Sequence, residues 1–257
     1  MQTKVIISPL YGIPDIQKND SIPDIILEAL DKNNMHLEEM DILTIAQKII
    51  SKAEGQTVDL KTIEAGKEAL ELAEKLNKDP RKVQVVLNES KRVIRAFKHK
   101  NQPEGTLICE HRLGFISANA GVDASNVAGN DNVLLLPENP DESAKKIANA
   151  LSSHYNKLIG VIITDTFGRP WRTGQVNVAI GLGNVPASIY EKGNLDAYGK
   201  VLQVTQPAFA DEVAAASGLV IQKAKQTPVV LFRGLNWIKS NDSINSLLRS
   251  DKEDVFK

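Results

Sequence analysis

The chain has 257 residues, 42% hydrophobic and 25% charged, with a formal net charge of −1. That is enough chain for one large domain or two small ones around a substantial core, and its near-neutral balance excludes a general electrostatic affinity for nucleic acid. The one cysteine, Cys109, excludes an internal disulfide and suits a reducing compartment. No apolar run approaches ~20 residues and no signal-peptide pattern opens the chain, so a soluble, cytoplasmic protein without a membrane partner is expected.

In chain order, Val5-Ile6-Ile7 reads as a short strand before a loop, Ser8 to Pro14, and Ile22 to Asp31 as a helix. Met40 to Ile50 reads as a strand with a long apolar centre. Residues 62 to 98 carry helical apolar spacing with many Glu/Lys pairs, broken at Asp79-Pro80, which predicts a packed helical pair. Leu107 to Asn119 alternates loosely as strands, and places Cys109 as a buried apolar residue rather than a nucleophile. Val133 to Leu136 is a strand, Asp141 to His154 an amphipathic helix, and Leu158 to Ile163 a buried strand. Residues 181 to 199 read as turns, Val201 to Thr205 as a strand, Asp211 to Lys225 as an alanine-rich helix, and Val229 to Arg233 as the last strand. Strands and helices mix without regular alternation. The expected class is therefore α+β, with mixed and antiparallel sheets and packed helices, not a doubly wound sheet.

The motifs of P-loop, dinucleotide-binding, serine-hydrolase and zinc-protease sites are missing. What stands out is "ITDTFGRPWR", Ile163 to Arg172, where an apolar run ends in Asp165 and Thr166 and then a proline and tryptophan flanked by Arg169 and Arg172. Ligands commonly dock at the carboxyl ends of strands, and two aspartates, Asp165 with Asp123 from a Gly-led turn, suit a hard divalent cation completed by water and phosphate oxygens. Thr166 offers a further oxygen. Each aspartate has an alternative reading as a turn or helix cap. Lys48 and Lys52 follow the second strand and suit either phosphate neutralisation or a solvated surface. Arg169 and Arg172 suit planar recognition of an anion, and Trp171 either a core anchor or a flat ligand surface. His111 is an anion contact or a satisfied structural histidine.

The stretches "ISKAEG", "HRLGFISANAGVDASNV", "LLLPENPDESA", "GVIITDTFGRPWRTGQ", "ADEVAAASGLV" and "PVVLFRG", in that order over most of the chain, resemble the coenzyme F420-0:L-glutamate ligase (F420 gamma-glutamyl ligase) family. The resemblance implies a two-lobed α+β fold particular to that family over residues 1–245, followed by a polar tail, 246–257. It implies a homodimer that takes GTP as co-substrate and adds L-glutamate to coenzyme F420-0 through an acyl phosphate, releasing GDP and phosphate. It further implies Mg²⁺ or Mn²⁺, two per site, with K⁺ as an additional candidate.

By that resemblance Asp123 and Asp165 are metal ligands and Thr166 holds a second metal; Arg169, nearer Asp165 than Arg172 is, is the guanidinium expected to act in catalysis. Tyr11, Gly12, Ile13, Pro14, Gln47, Lys48, Lys52, Asn126, Ile221, Gln222 and Lys223 line the nucleotide site. One departure stands out: Val220-Ile221-Gln222-Lys223 stands where the family reads Val-Met-Gly followed by Lys, Gln or Glu, so Gln222 replaces a glycine, and Lys223, while protonated, cannot ligate a metal. Two other functions fit the same acidic loops: a metal-dependent phosphohydrolase, in which paired aspartates activate water, and a nucleotide-binding regulatory protein without turnover.

Overall fold

The computed structural model describes residues 4–124, 131–221 and 227–254. Its main body is a five-stranded sheet in the order β1-β10-β2-β8-β9, from β1 (Ile6–Leu10), β2 (Ile42–Ala46), β8 (Gly160–Arg169), β9 (Arg172–Gly183) and β10 (Val229–Arg233). Only β2 and β8 run parallel. Around it pack α1 (Ile22–Lys32), α2 (Gln47–Ala53), α5 (Pro140–Tyr155) and α6 (Phe209–Ser217). The mixed sheet with its helices is the α+β architecture expected from the sequence.

β8 begins as a fully apolar run, and Val161, Ile162 and Ile163 have no exposed surface. Burying each contributes roughly 1.5–3 kcal/mol against the unfolded chain. α5 is set by local signals. The Asn139 side chain accepts from the Glu142 N–H at 3.2 Å, Pro140 opens the first turn, and Asn156 ends the helix in the left-handed conformation, as capping chemistry requires. The helix lies so close to β9 that a methyl on Gly181 would stand 2.5 Å from the Pro140 backbone.

A smaller body follows α2. It holds β3 (Thr57–Asp59) paired with β7 (Asn132–Leu134), the helices α3 (Lys67–Leu76) and α4 (Pro80–Asn88), and a three-stranded sheet of β4 (Ser90–Phe97), β5 (Thr106–His111) and β6 (Ile116–Ala118). Two small apolar clusters, one around Leu76, Val83 and Leu107 and one around Leu60, Val85 and Val133, form its interior.

Several sequence expectations are corrected. The first strand runs on through Ser8-Pro9-Leu10, because β1 is an edge strand where proline's missing N–H is tolerated. The second ends at Ala46, and Gln47 to Ala53 turns into helix. The helical spacing over 62–98 holds only to Asn88; Ser90–Phe97 is a strand, where half-buried Val93 and Ile94 and the Arg92–Glu110 pair at 2.8 Å favour cross-strand pairing. The strand before Asp165 does not stop there but continues to Arg169 and returns as β9 to Gly183. Val201 to Thr205 has only an isolated bridge to Leu195. The last helix ends at Ser217, before Gly218.

Candidate active site

The sheet register brings distant segments to one edge. Leu10 pairs with Val229, Val229 with Ile45, and Ile45 with Ile163. Just beyond that level lie Tyr11, Pro228, Gln47 and Asp165, from four separate parts of the chain. The Ala46 N–H donates to the Pro228 carbonyl at 2.8 Å, closing the edge between β2 and the approach to β10. This is the carboxyl end of the one parallel pair, where ligands dock in open sheets.

The loop after β1 turns on Gly12, whose φ is 82°, a value glycine adopts without strain. Tyr11 and Pro14 are exposed and Ile13 is buried beneath them. Asp15 ties this loop to α2 through Lys52, whose Nζ stands 2.6 Å from its carboxylate. Gln47 is 1% exposed. Its Oε1 accepts from the Ser51 hydroxyl at 2.7 Å, while its Nε2 has no partner among the described residues. A buried amide donor without an acceptor costs about 1–3 kcal/mol.

Asp123 arrives from the smaller body. Asn119, Ala120 and Gly121 have φ of 52°, 49° and 72°, three left-handed residues in a row. Non-glycine residues there store strain that tends to gather at functional sites. Asp123 then exchanges backbone hydrogen bonds with Leu134 at 3.0 and 2.8 Å, and Leu134 pairs with Thr57 just after α2. That route places the Asp123 carboxylate 2.6 Å from Lys48 Nζ. Lys48, in turn, follows Ala46, the partner of Thr164. Asp123 and Lys48 therefore meet, and Asp165 lies one residue beyond the Thr164 that pairs with Ala46.

Between Ile163 and Thr164 the β8–β9 ladder shifts register: Ile163 pairs with Gly181 but Thr164 with Ala179, leaving Ile180 as an extra residue. Such a bulge bends a strand and re-aims its side chains. The Ala179 N–H donates to the Asp211 carboxylate of α6 at 2.9 Å, and burial pushes the Asp211 carboxyl above its ordinary pKa. Beyond the bulge, alternation sends Asp165 and Thr166 to opposite faces. Phe167, on the face of Asp165, meets Phe115 edge-on at 6.0 Å between ring centres. Thr166 donates to Asn177 Oδ1 at 2.9 Å, and Asn177 donates to the Ser217 hydroxyl at 3.0 Å, tying the other face to α6.

The hairpin tip stands apart. Arg169 and Arg172 pair across it, and strand rise puts Arg169 roughly 13 Å along the chain from Asp165. Arg169 Nη2 donates to the Thr173 carbonyl at 3.1 Å, its Nε is buried without a partner among the described residues, and Arg172 is exposed. Trp171, at φ 62° and 88% exposed, is a surface residue rather than a core anchor. Ile221 is partly buried, its N–H donating to the Ser217 carbonyl at 3.0 Å. Asn126, Gln222 and Lys223 lie outside the described residues.

His111 is the satisfied structural histidine. It is fully buried, with Nε2 3.2 Å from Glu89 and Nδ1 accepting from the Leu113 N–H at 3.0 Å. That contact and Arg112 hold Glu89 below its ordinary pKa. Cys109 is buried in β5, and burial pushes its thiol up, away from the thiolate a nucleophile needs. Asn177, Ser217 and Asp211 were not singled out from the sequence; only the α6 face brings them to β8 and β9.

No helix among the described residues is long and apolar enough to cross a membrane. A cleft of about 920 Å³ lies elsewhere, at the amino ends of α1 and α5, and none of the expected site residues lines it.

Residues 12–234 match the family model described as F420-0:Gamma-glutamyl ligase. The chain is 40% identical over 250 residues to the coenzyme F420:L-glutamate ligase of Methanothermobacter thermautotrophicus, covering 96% of each chain. It is 41% identical over 222 residues to that of Methanocaldococcus jannaschii, covering 86% of each. It is 35% identical over 255 residues to that of Archaeoglobus fulgidus, covering 99% of this chain and 97% of the relative. With the family model spanning most of its length, the chain is a ligase that belongs to the F420-0:gamma-glutamyl ligase family.

Proposed function

We propose that the protein is a GTP-dependent ligase that joins L-glutamate to the terminal carboxylate of coenzyme F420-0, and then adds further gamma-linked glutamate. The observation that carries the reading is the gathering at one sheet edge of the β1–α1 loop, Gln47 and Lys48, Asp123 and Asp165. Those residues come from separate segments and supply the donors and carboxylates that such a reaction uses.

The donor set suits a divalent cation. Asp123 already faces a positive charge, the Lys48 ammonium at 2.6 Å, and Asp165 approaches from the neighbouring strand. Among the described residues no three His, Cys, Asp or Glu side chains cluster as a complete cage. Two carboxylates with phosphate oxygens and water filling the shell is how Mg²⁺ is commonly held. On this reading Asp123 and Asp165 hold one Mg²⁺ or Mn²⁺. Thr166, on the opposite face of β8, serves a second position rather than the same one, and a K⁺ ion is a further candidate. The metals would supply charge neutralisation for the transferring phosphoryl group.

The chain's own groups do the rest. Gln47 offers a buried amide donor, Tyr11 to Pro14 a loop turned by Gly12, and Lys48 and Lys52 ammonium groups for phosphate. Asn126, Ile221, Gln222 and Lys223 complete the nucleotide contacts, with Arg169 steering an anion. The carboxylate of coenzyme F420-0 attacks the terminal phosphorus of GTP, the bond to the β-phosphate breaks, and GDP leaves as the acyl phosphate forms. The glutamate amine then forms the amide bond, phosphate leaves, and the amine's proton passes to solvent. Every reacting partner is an anion, so positioning and charge stabilisation are the protein's tasks.

The same reading places the enzyme in the cytoplasm as a homodimer. Tyr190, Leu195, Tyr198 and Val204 are all exposed in one connection, and grouped exposed apolar side chains are the kind of surface a subunit interface covers.

Incubation of the full chain with coenzyme F420-0, GTP, Mn²⁺ or Mg²⁺ and L-glutamate tests the proposal. Mass spectrometry should show products heavier by one and then more glutamyl units, with GDP release that requires glutamate. GDP release indifferent to glutamate would make the protein a phosphohydrolase. Tight GTP binding without turnover would make it a regulator.

A further inference from the structure

A second cavity, of about 170 Å³, opens directly beside Asp123, and none of the nucleotide or metal roles above accounts for it. Its apolar walls include Leu107 and Val133, and its polar lining includes Lys78, Lys82, Glu104 and Asp123. The volume is below the roughly 300 Å³ at which nucleotide- and drug-sized pockets begin. A protein cavity of about 150 Å³ takes up benzene, so the space suits a molecule on the scale of one amino acid.

The charges are distributed unevenly. Lys78 is already engaged, its Nζ 2.9 Å from Glu104. Lys82, by contrast, is partly buried at the cavity, makes no hydrogen bond or salt bridge among the described residues, and acts on Asp79 only through its charge, which helps hold that carboxyl below its ordinary pKa. A partly buried lysine beside apolar walls is a ready partner for an anion. Asp123 and Glu104 line the same space. The cavity is thus cationic at one point and anionic at others, the charge pattern of an amino acid with an additional carboxylate.

We propose that this cavity seats the acceptor L-glutamate, with a carboxylate against Lys82 and the amine turned toward Asp123. The inference rests on the ligase reading above for the identity of the amino acid. It places the amine at the junction between the two bodies of the fold, next to the carboxylate that faces Lys48, where the activated acyl group must arrive. Lys82 is on this account a binding residue for the amino acid and takes no part in holding the nucleotide.

Equilibrium dialysis of radiolabelled L-glutamate against the full chain, with Mg²⁺ and a non-hydrolysable GTP analogue present, reads this directly. A hydrogen bond to a charged group sets the scale, so Lys82→Ala should weaken glutamate binding by about ten- to a hundredfold. Lys82→Arg should restore most of it, since the charge returns. Affinity for the GTP analogue should be the same in all three proteins, and the melting temperature should change little, because Lys82 makes no hydrogen bond or salt bridge among the described residues and acts on Asp79 only through its charge. Glycine, which has no second carboxylate, should not compete. Glutamate binding that is undetectable in the wild type, or equal in Lys82→Ala, would overturn the proposal. Lys82-dependent glutamate binding in a protein that never makes a glutamylated product would sustain it and overturn the ligase reading instead.

Discussion

Asp123→Asn distinguishes a cation site from a structural ion pair. The amide keeps the shape of the carboxylate and removes the charge facing Lys48 at 2.6 Å. Both side chains of that pair are partly exposed, 23% and 34%, so solvent screening holds its worth to about 1 kcal/mol or less. For a chain of this size 1 kcal/mol moves the melting temperature by roughly 2–4 °C. The metal-free variant should therefore melt only a few degrees below the wild type.

A ligand at a hundredfold its dissociation constant adds about 2.7 kcal/mol, which predicts that saturating Mn²⁺ with GDP raises the wild-type midpoint by roughly 5–10 °C. Addition of Mn²⁺ to the GDP-bound variant should give less than about 2 °C, because a neutral amide binds a hard dication poorly. Calorimetric scans in EDTA, in GDP, and in GDP with Mn²⁺ give every number required. Equal Mn²⁺ shifts in both proteins would refute the assignment of Asp123 to the metal. A metal-free variant melting 10 °C or more below the wild type would make the residue structural.

Lys52→Ala should weaken GTP binding by on the order of 1–3 kcal/mol, the scale of a charge-assisted hydrogen bond, and should also free Asp15 and the Tyr11–Pro14 loop; titration calorimetry measures the first and an unchanged dissociation constant contradicts it. Arg169→Lys should lower kcat more than it raises the KM for GTP, since a point charge cannot copy a planar fork; a fall in melting temperature with unchanged kinetics would make Arg169 a structural partner of the hairpin. Arg233→Ala should cost about 3–5 kcal/mol, because it leaves Asp41, fully buried and bonded to Arg233 at 2.7 to 3.2 Å, without its cation; denaturant unfolding measures it, with ligation by the folded fraction expected to persist.

The sequence announces elements where local chemistry decides them and misleads where partners do. α5 is legible because Asn139, Pro140 and the left-handed Asn156 act on neighbours within a few residues. β4 is not, because Ser90 to Phe97 carries a spacing that suits either helix or strand and only β5 decides between them. The same division runs through the site. Asp123 and Asp165 stand out as carboxylates in odd surroundings, but their approach depends on a route through Leu134 and β3 that no local pattern encodes. The hydrogen bonds of Thr166 to Asn177 and onward to Ser217 join residues 51 positions apart at the extremes, and so cannot be read from spacing.

The extra residue in β9 has a consequence for how this enzyme can change. Because side chains alternate along a strand, one inserted residue reverses the phase of everything beyond it. Ile180 thus divides β9 into two stretches that answer to different constraints: Gly181 and the residues after it are confined by α5, whereas Asn177 and those before it are fitted to α6 and the projecting hairpin. The hairpin beyond Thr166 can lengthen by pairs of residues without disturbing the packed end of the sheet. Removing Ile180 would rejoin the two phases, turn Asn177 away from Ser217, and leave the hairpin presenting its wrong side. In this fold a single unpaired residue separates the packed end of the sheet from the arm that carries Asp165 and Thr166.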